Sequence, residues 1–160
     1  MRMAYSLEHD RKFIITEPVV DLLMNYRQTD KWQKEAGGLL IGRHLLEEDH
    51  LVVDRITEPT WWDKRLRTFF FRSNRHNRIL YKTWNDSNKT LTLLGLWHTH
   101  PEPIPTPSVV DYKDWENTLL QGEYFGDFLV FMIVGTQKIR IWRGDKHARF
   151  LEMNEILKNE

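Results

Sequence analysis

Apolar residues fall into short runs separated by polar, glycine or proline breaks, and their spacing switches between strand-like and helix-like stretches. Residues 12–16 (KFIIT) form a β-branched run that predicts a strand. Thr16-Glu17-Pro18 then offers a hydroxyl N-cap, an acid in the first turn and an early proline. The spacing predicts a helix from there to Arg27, with Val19, Leu22 and Leu23 on its buried face. Residues 30–34 are polar and read as a loop. Residues 37–43 (GGLLIGR) predict a buried strand whose glycines allow close backbone packing. Residues 51–57 predict a second strand, with a turn at 47–50 between the two. Residues 59–65 (PTWWDKR) read as a loop carrying two tryptophans, and 68–71 as a short strand.

Residues 73–84 read as a helix capped by Ser73, with Ile79, Leu80 and Trp84 at helical spacing. After a turn at 86–89, residues 91–100 (LTLLGLWHTH) predict a central strand, because the run is apolar without alternation. Four prolines in 101–107 exclude regular structure there. Residues 108–120 predict a helix, and Phe128–Val134 and 138–142 two strands joined at Gly135-Thr136. The polar tail from Met153 has room for a short helix. The expected fold class is α/β: a mixed, partly antiparallel sheet flanked by helices, in a single domain over residues 1–160.

Composition narrows the functional classes. Lys plus Arg and Asp plus Glu each number 23, so the net charge is zero and no bulk attraction to nucleic acid is expected. The longest apolar run, Phe128–Val134, falls far short of the about 18–20 residues of a membrane span. Residues 1–10 lack the apolar stretch of a signal peptide, which makes cytoplasmic the expected location. Cysteine is absent, which excludes disulfide scaffolds, thiol nucleophiles and Cys-bearing zinc sites. Any metal must be held by His, Asp and Glu.

The segment with the most chemistry is Gly95-Leu96-Trp97-His98-Thr99-His100-Pro101, followed by Ser108-Val109-Val110-Asp111. On a strand, residues i and i+2 face the same way about 6.6–6.8 Å apart, so His98 and His100 can address one ion. Asp111 lies one turn into the next helix, which the proline-rich loop can fold back toward the strand end. Two imidazoles and a carboxylate suit Zn²⁺ and leave its fourth position open, as in catalytic rather than structural sites. Taken singly, each feature has a plainer reading: H-x-H recurs on strands without function, and Ser108-x-x-Asp111 is also the pattern of a capping box.

Glu35 ahead of Gly37-Gly38-Leu39-Leu40-Ile41-Gly42, with His98-x-His100-Pro101, Pro107-Ser108 and Asp111, resembles the JAMM motif of the JAB/MPN metalloproteases. Trp97-His98-Thr99-His100-Pro101-Glu102 and Trp115 are most similar to the small stand-alone bacterial JAB proteins of antiphage islands, including CBASS operons with ubiquitin-transfer-like enzymes. The resemblance implies the JAB/MPN, cytidine-deaminase-like fold. It implies one zinc ion per chain, ligated by His98, His100 and Asp111. Glu35 would be the general base and Ser108 the donor to the oxyanion. Without the resemblance, Glu35 is not distinguished from Glu47, Glu48 or Glu102. The implied reaction is cleavage of an amide at the C-terminal tail of a ubiquitin-like or conjugated protein. Its partner would be a protein with an extended tail, such as a conjugated nucleotidyltransferase of a defence operon.

Two other classes remain open on the residues: a non-catalytic MPN-type protein-binding scaffold, and a two-His-one-carboxylate non-haem metal enzyme acting on a small molecule. The scaffold class usually lacks the ligands, which are all present here. HExxH proteases are excluded because that string is absent. Lys64, Arg65, Arg67, Arg72, Arg75 and Arg78 form a basic stretch, read as a solvated face with an acidic protein patch as the alternative. Trp61 and Trp62 are candidates for a substrate groove, Trp97 for the core, and His76 for an exposed helix position.

Overall fold

Most of the strand-like stretches pair into one curled sheet. In the computed structural model, residues 1–157 are described. In chain order the elements are β1 (Met3–Ser6), β2 (Lys12–Ile15), α1 (Glu17–Asn25), β3 (Gly37–His44), β4 (Leu51–Ile56), β5 (Lys64–Leu66), β6 (Phe69–Phe71), α2 (Arg75–Asp86), β7 (Thr92–Thr99), α3 (Val109–Gln121), β8 (Phe128–Val134), β9 (Ile139–Asp145) and β10 (Phe150–Glu152). The main sheet has the order β1-β2-β4-β3-β7-β8-β9-β10, and β5-β6 form a separate hairpin. The β2–β4 and β7–β8 pairs are parallel, and every other neighbouring pair is antiparallel. Beyond β10 the chain pairs with β1, through Ser6 N–H to Asn154 O at 2.8 Å and Ile156 N–H to Ala4 O at 2.8 Å. The two ends of the sheet are thereby tied together, which covers an edge that would otherwise template aggregation.

Both faces of the sheet are buried. Val130, Met132 and Val134 join the core around Val19, Val20 and Leu23 of α1. Leu129, Phe131 and Ile133 join the core around Trp115 and Leu119 of α3. Two-sided burial explains why β8 reads as an unbroken apolar run. On β7 the alternation slips: Leu93 and Leu96 face α3, whereas Leu94 and Trp97 face α1. The β3–β7 register shifts at this point, Leu40 pairing Gly95 and Ile41 pairing Leu93, so Leu94 is bulged. A Cβ on Gly95 would stand 1.6 Å from Val130 O, so only glycine lets β7 and β8 close here.

Several expectations are corrected. On α1, Val20 is buried in place of Leu22, which is 36% exposed, because the helix seats its 19–20–23 side inside the curl. α1 ends at Asn25, and α2 starts at Arg75 behind Asn74 rather than Ser73. Ile79 is exposed, and α2 instead buries His76 and Thr83. β1, β5 and β10 are three- or four-residue strands too short to show periodicity. From Met153 to Leu157 no helix forms, since that backbone is claimed by β9 and β1; the rest of the tail lies outside the described residues. Among the described residues, no helix is long and apolar enough to cross a membrane.

Candidate metal centre

The bulge in β7 decides which way its last residues point. Beyond it, Leu96, His98 and His100 share the α3 side, while Thr99 turns to the other face and gives its hydroxyl proton to Gln28 Oε1 at 2.8 Å. The His98 and His100 rings converge, with 3.0 Å between their Nε2 atoms. His100 N–H donates to Val134 O at 3.1 Å, so the ladder holds the second histidine past the strand's formal end.

α3 supplies the third donor. Trp115 stacks on Phe131 at 4.9 Å and packs against Trp142 and Phe150. Asp111 lies four residues earlier, hence on the same helix face, and is aimed at the histidines. Its Oδ1 lies 3.1 Å from His98 Nε2 and its Oδ2 3.1 Å from His100 Nε2. Ser108 and Asp111 also form the capping box: Asp111 N–H donates to Ser108 Oγ at 3.1 Å, and Ser108 N–H to Asp111 Oδ2 at 2.7 Å. The cap is therefore what orients the carboxylate toward the rings. The bond from Asp111 N–H uses Ser108 Oγ as an acceptor and leaves its hydroxyl proton to donate elsewhere. Residues 101–107 bring α3 back by docking on the β8–β9 turn, with Thr136 N–H to Glu102 O at 2.8 Å and Lys138 N–H to Pro103 O at 3.0 Å.

The donor set fits a metal. Donors held 2.0–2.1 Å from a tetrahedral ion stand about 3.3 Å apart, close to the separations here. His100 Nδ1 lies 2.7 Å from Glu102 Oε1, which fixes the ring proton on Nδ1 and turns the Nε2 lone pair inward. Burial would lower the His100 pKa, but its bonds to Asp111 and Glu102 prevail and raise it. Burial would raise Asp111, but the two imidazoles and the Ser108 N–H hold it far below the usual carboxylate range.

Glu35 joins the cluster from the segment that leads into β3. It is buried, and a carboxylate oxygen lies within 4.8 Å of a ring nitrogen of both His98 and His100. Burial, reinforced by the charges of Asp111 and Glu102 and opposed by His100, pushes its pKa up to about 8. The β3–β7 ladder brings it there, with Gly37 opposite His98 and Thr99 N–H bonded to Ala36 O at 2.9 Å. The two glycines act differently. A Cβ on Gly37 would meet Phe70 at 2.5 Å and Trp97 O at 2.9 Å, whereas one on Gly38 would strike Thr57 O at 2.1 Å. Gly37 thus serves the approach to β7, and Gly38 makes room for the chain leaving β4.

The remaining candidates separate. His76, expected to be exposed, is 1% exposed, with Nδ1 2.6 Å from Thr57 Oγ1 and Nε2 2.8 Å from Asp63 Oδ2. Trp97 is core, its indole donating to Thr57 O at 3.0 Å, while Trp32, Trp61 and Trp62 are exposed. The basic stretch is largely committed within the fold. Arg65 and Arg67 bond main-chain carbonyls, Arg72 grips Asp114 with two 2.8 Å bonds, and Arg75 lies over Trp62. Gln28 was not legible as important. It is buried, accepts from Thr99 and donates to Gln33 O and Arg67 O, joining the end of β7 to two loops. A lone glutamine in a polar stretch carries no sequence signal.

A family model described as prokaryotic homologues of the JAB domain matches residues 16–145. A protein of Escherichia coli (strain TW11681) named CD-NTase/cGAS isopeptidase is 36% identical over 140 residues, covering 87% of this chain and 85% of that protein. A protein of the same name from Vibrio cholerae serotype O1 is 32% identical over 152 residues, covering 94% and 92%. A solution structure of a protein from Desulfitobacterium hafniense matches with a TM-score of 0.60 at 24% identity, covering 91% and 92%, a likeness of fold.

Proposed function

Because the chain belongs to the prokaryotic JAB-domain family, we propose that it is a zinc-dependent isopeptidase that releases a protein from the amine to which its C-terminal carboxyl is joined. The observation that carries this reading is the convergence of the His98, His100 and Asp111 donors beside the buried Glu35 carboxylate. His98, His100 and Asp111 would hold the metal. When bound, zinc supplies Lewis acidity to the scissile carbonyl and lowers the pKa of water.

The chain's own residues do the rest. Glu35 forms no ion pair with either ring among the described residues, yet lies within 4.8 Å, a gap that one oxygen atom can bridge. Its carboxylate takes a proton from the attacking water. The water oxygen bonds to the carbonyl carbon, the C–N bond breaks, and Glu35 returns the proton to the departing amine. Ser108 Oγ–H donates to the carbonyl oxygen as negative charge gathers there. The β5–β6 hairpin abuts Gly37 through Phe70 and offers a short sheet edge for an extended tail.

The names of the two relatives point to a conjugated nucleotidyltransferase of the CD-NTase/cGAS kind as substrate. The test is incubation of such a purified conjugate with the zinc-loaded protein, with and without chelator. Chelator-sensitive release supports the reading; no release from any conjugate of this kind overturns it.

A further inference from the structure

The β5–β6 hairpin also holds the backbone of the proposed base. Glu35 N–H donates to Leu66 O at 2.8 Å, and Glu35 C=O accepts from Arg65 Nε at 2.7 Å. Both main-chain polar groups of this residue are thus engaged by one three-residue strand. That strand is itself anchored at its entry. Asp63 accepts from Thr60 N–H at 2.7 Å and Ser73 N–H at 2.8 Å and meets His76 at 2.8 Å. His76 meets Thr57 Oγ1 at 2.6 Å, and Thr57 Oγ1 accepts from Leu39 N–H at 2.7 Å. These bonds tie Leu39 of β3 to Asp63, and the main chain runs on from Asp63 directly into β5, which holds Glu35 two residues before β3. The guanidinium is the one side chain in it that reaches Glu35.

We propose that Arg65 is a positioning residue for Glu35, fixing its main chain so that the carboxylate is held at proton-transfer distance. The inference rests on the reading of Glu35 as the base. Its basis is geometric: with both backbone groups fixed, only side-chain torsions remain free, and misplacement of a catalytic group by an ångström costs on the order of 10²-fold in rate.

The test compares wild type, Arg65→Met, Arg65→Lys, Glu35→Gln and the Arg65→Met/Glu35→Gln double variant in the cleavage assay, each with metal content measured. Arg65→Met is expected to lower kcat about tenfold to a hundredfold with KM and metal content unchanged. Arg65→Lys, whose ammonium can still donate to a carbonyl, should recover part of the loss. Against the Glu35→Gln background, Arg65→Met should cost nothing further, because the residue it positions no longer acts. Amide exchange on the metal-free protein gives a second readout: the Glu35 N–H should exchange faster in Arg65→Met. A rise in KM with kcat intact would make Arg65 a substrate contact and overturn the inference. So would an additive loss in the double variant, or unchanged Glu35 exchange. A near wild-type rate for Glu35→Gln overturns the base assignment itself, an outcome the additive double does not produce.

Discussion

Among the described residues lie two buried histidine–carboxylate clusters, and they differ in the direction of their polar atoms. Around His76 every bond runs donor to acceptor. Thr57 Oγ1 accepts from Leu39 N–H, so its proton goes to His76 Nδ1; His76 Nε2–H goes to Asp63; and Asp63 accepts two further backbone N–H groups. The cluster is closed and needs nothing more. Around His98 and His100, two ring nitrogens and two carboxylate oxygens gather with 3.0 Å between the nitrogens and 3.1 Å from each nitrogen to one oxygen of Asp111. Either ring protons or a cation can hold such a group together, and the Glu102 bond at His100 Nδ1 leaves its Nε2 free to bind the cation. Both carboxylates are held below their usual range, so neither burial nor acidity separates the clusters. The geometry of lone pairs does.

The comparison breaks most sharply on metal content. His98→Ala or Asp111→Ala should strip the ion and reduce cleavage to background, whereas His76→Ala should leave the metal in place; elemental analysis of the three proteins decides. Zinc retained in both ligand variants would erase the distinction. Within the converging cluster, Glu35→Gln should keep its zinc and lose about 10²–10⁴ in turnover, read by kinetics beside metal content. Ser108→Ala should lose about 10²–10³ in turnover. Because Ser108 is also the cap of α3, the same variant should lose about 0.5–2 kcal/mol in denaturant unfolding. A stability loss with turnover intact would leave it a cap alone.

The closed cluster should answer in stability. His76→Ala takes one of three hydrogen-bond donors from the Asp63 carboxylate and should cost about 1.5–3 kcal/mol, measured by unfolding in denaturant. The smallest effect is in acid. Burial would raise the Asp63 pKa, but Thr60 N–H, His76 and Ser73 pull it down from 3.8 to about 2. A carboxylate with a depressed folded pKa stabilises the fold above pH 3.8 and loses that contribution as the pH falls through 2. Wild type should therefore lose more stability between pH 5 and pH 2 than Asp63→Asn does, although the variant starts lower. Parallel losses in that window would remove Asp63 as the acid-sensitive group.

By itself the sequence determined the parts whose signal is local. The apolar runs of β7 and β8, the same-side spacing of His98 and His100, and the Ser108–Asp111 cap on α3 all depend on neighbours a few residues apart, where strand and helix periods act. What only tertiary structure decided depends on distant pairing. Glu35 reaches the histidines because β3 runs antiparallel to β7 with Gly37 opposite His98. The bulge at Leu94 turns those histidines toward α3 and not α1. His76 is buried because Thr57 and Asp63, 19 and 13 positions away, supply its partners. The short strands β1 and β10 exist because the closing sheet offers them unpaired backbone groups. A side chain's periodicity is set by its own backbone, but the groups that satisfy its polar atoms are chosen by the register of strands far away in the chain. That register follows from burying both sheet faces at once, a condition no single segment contains.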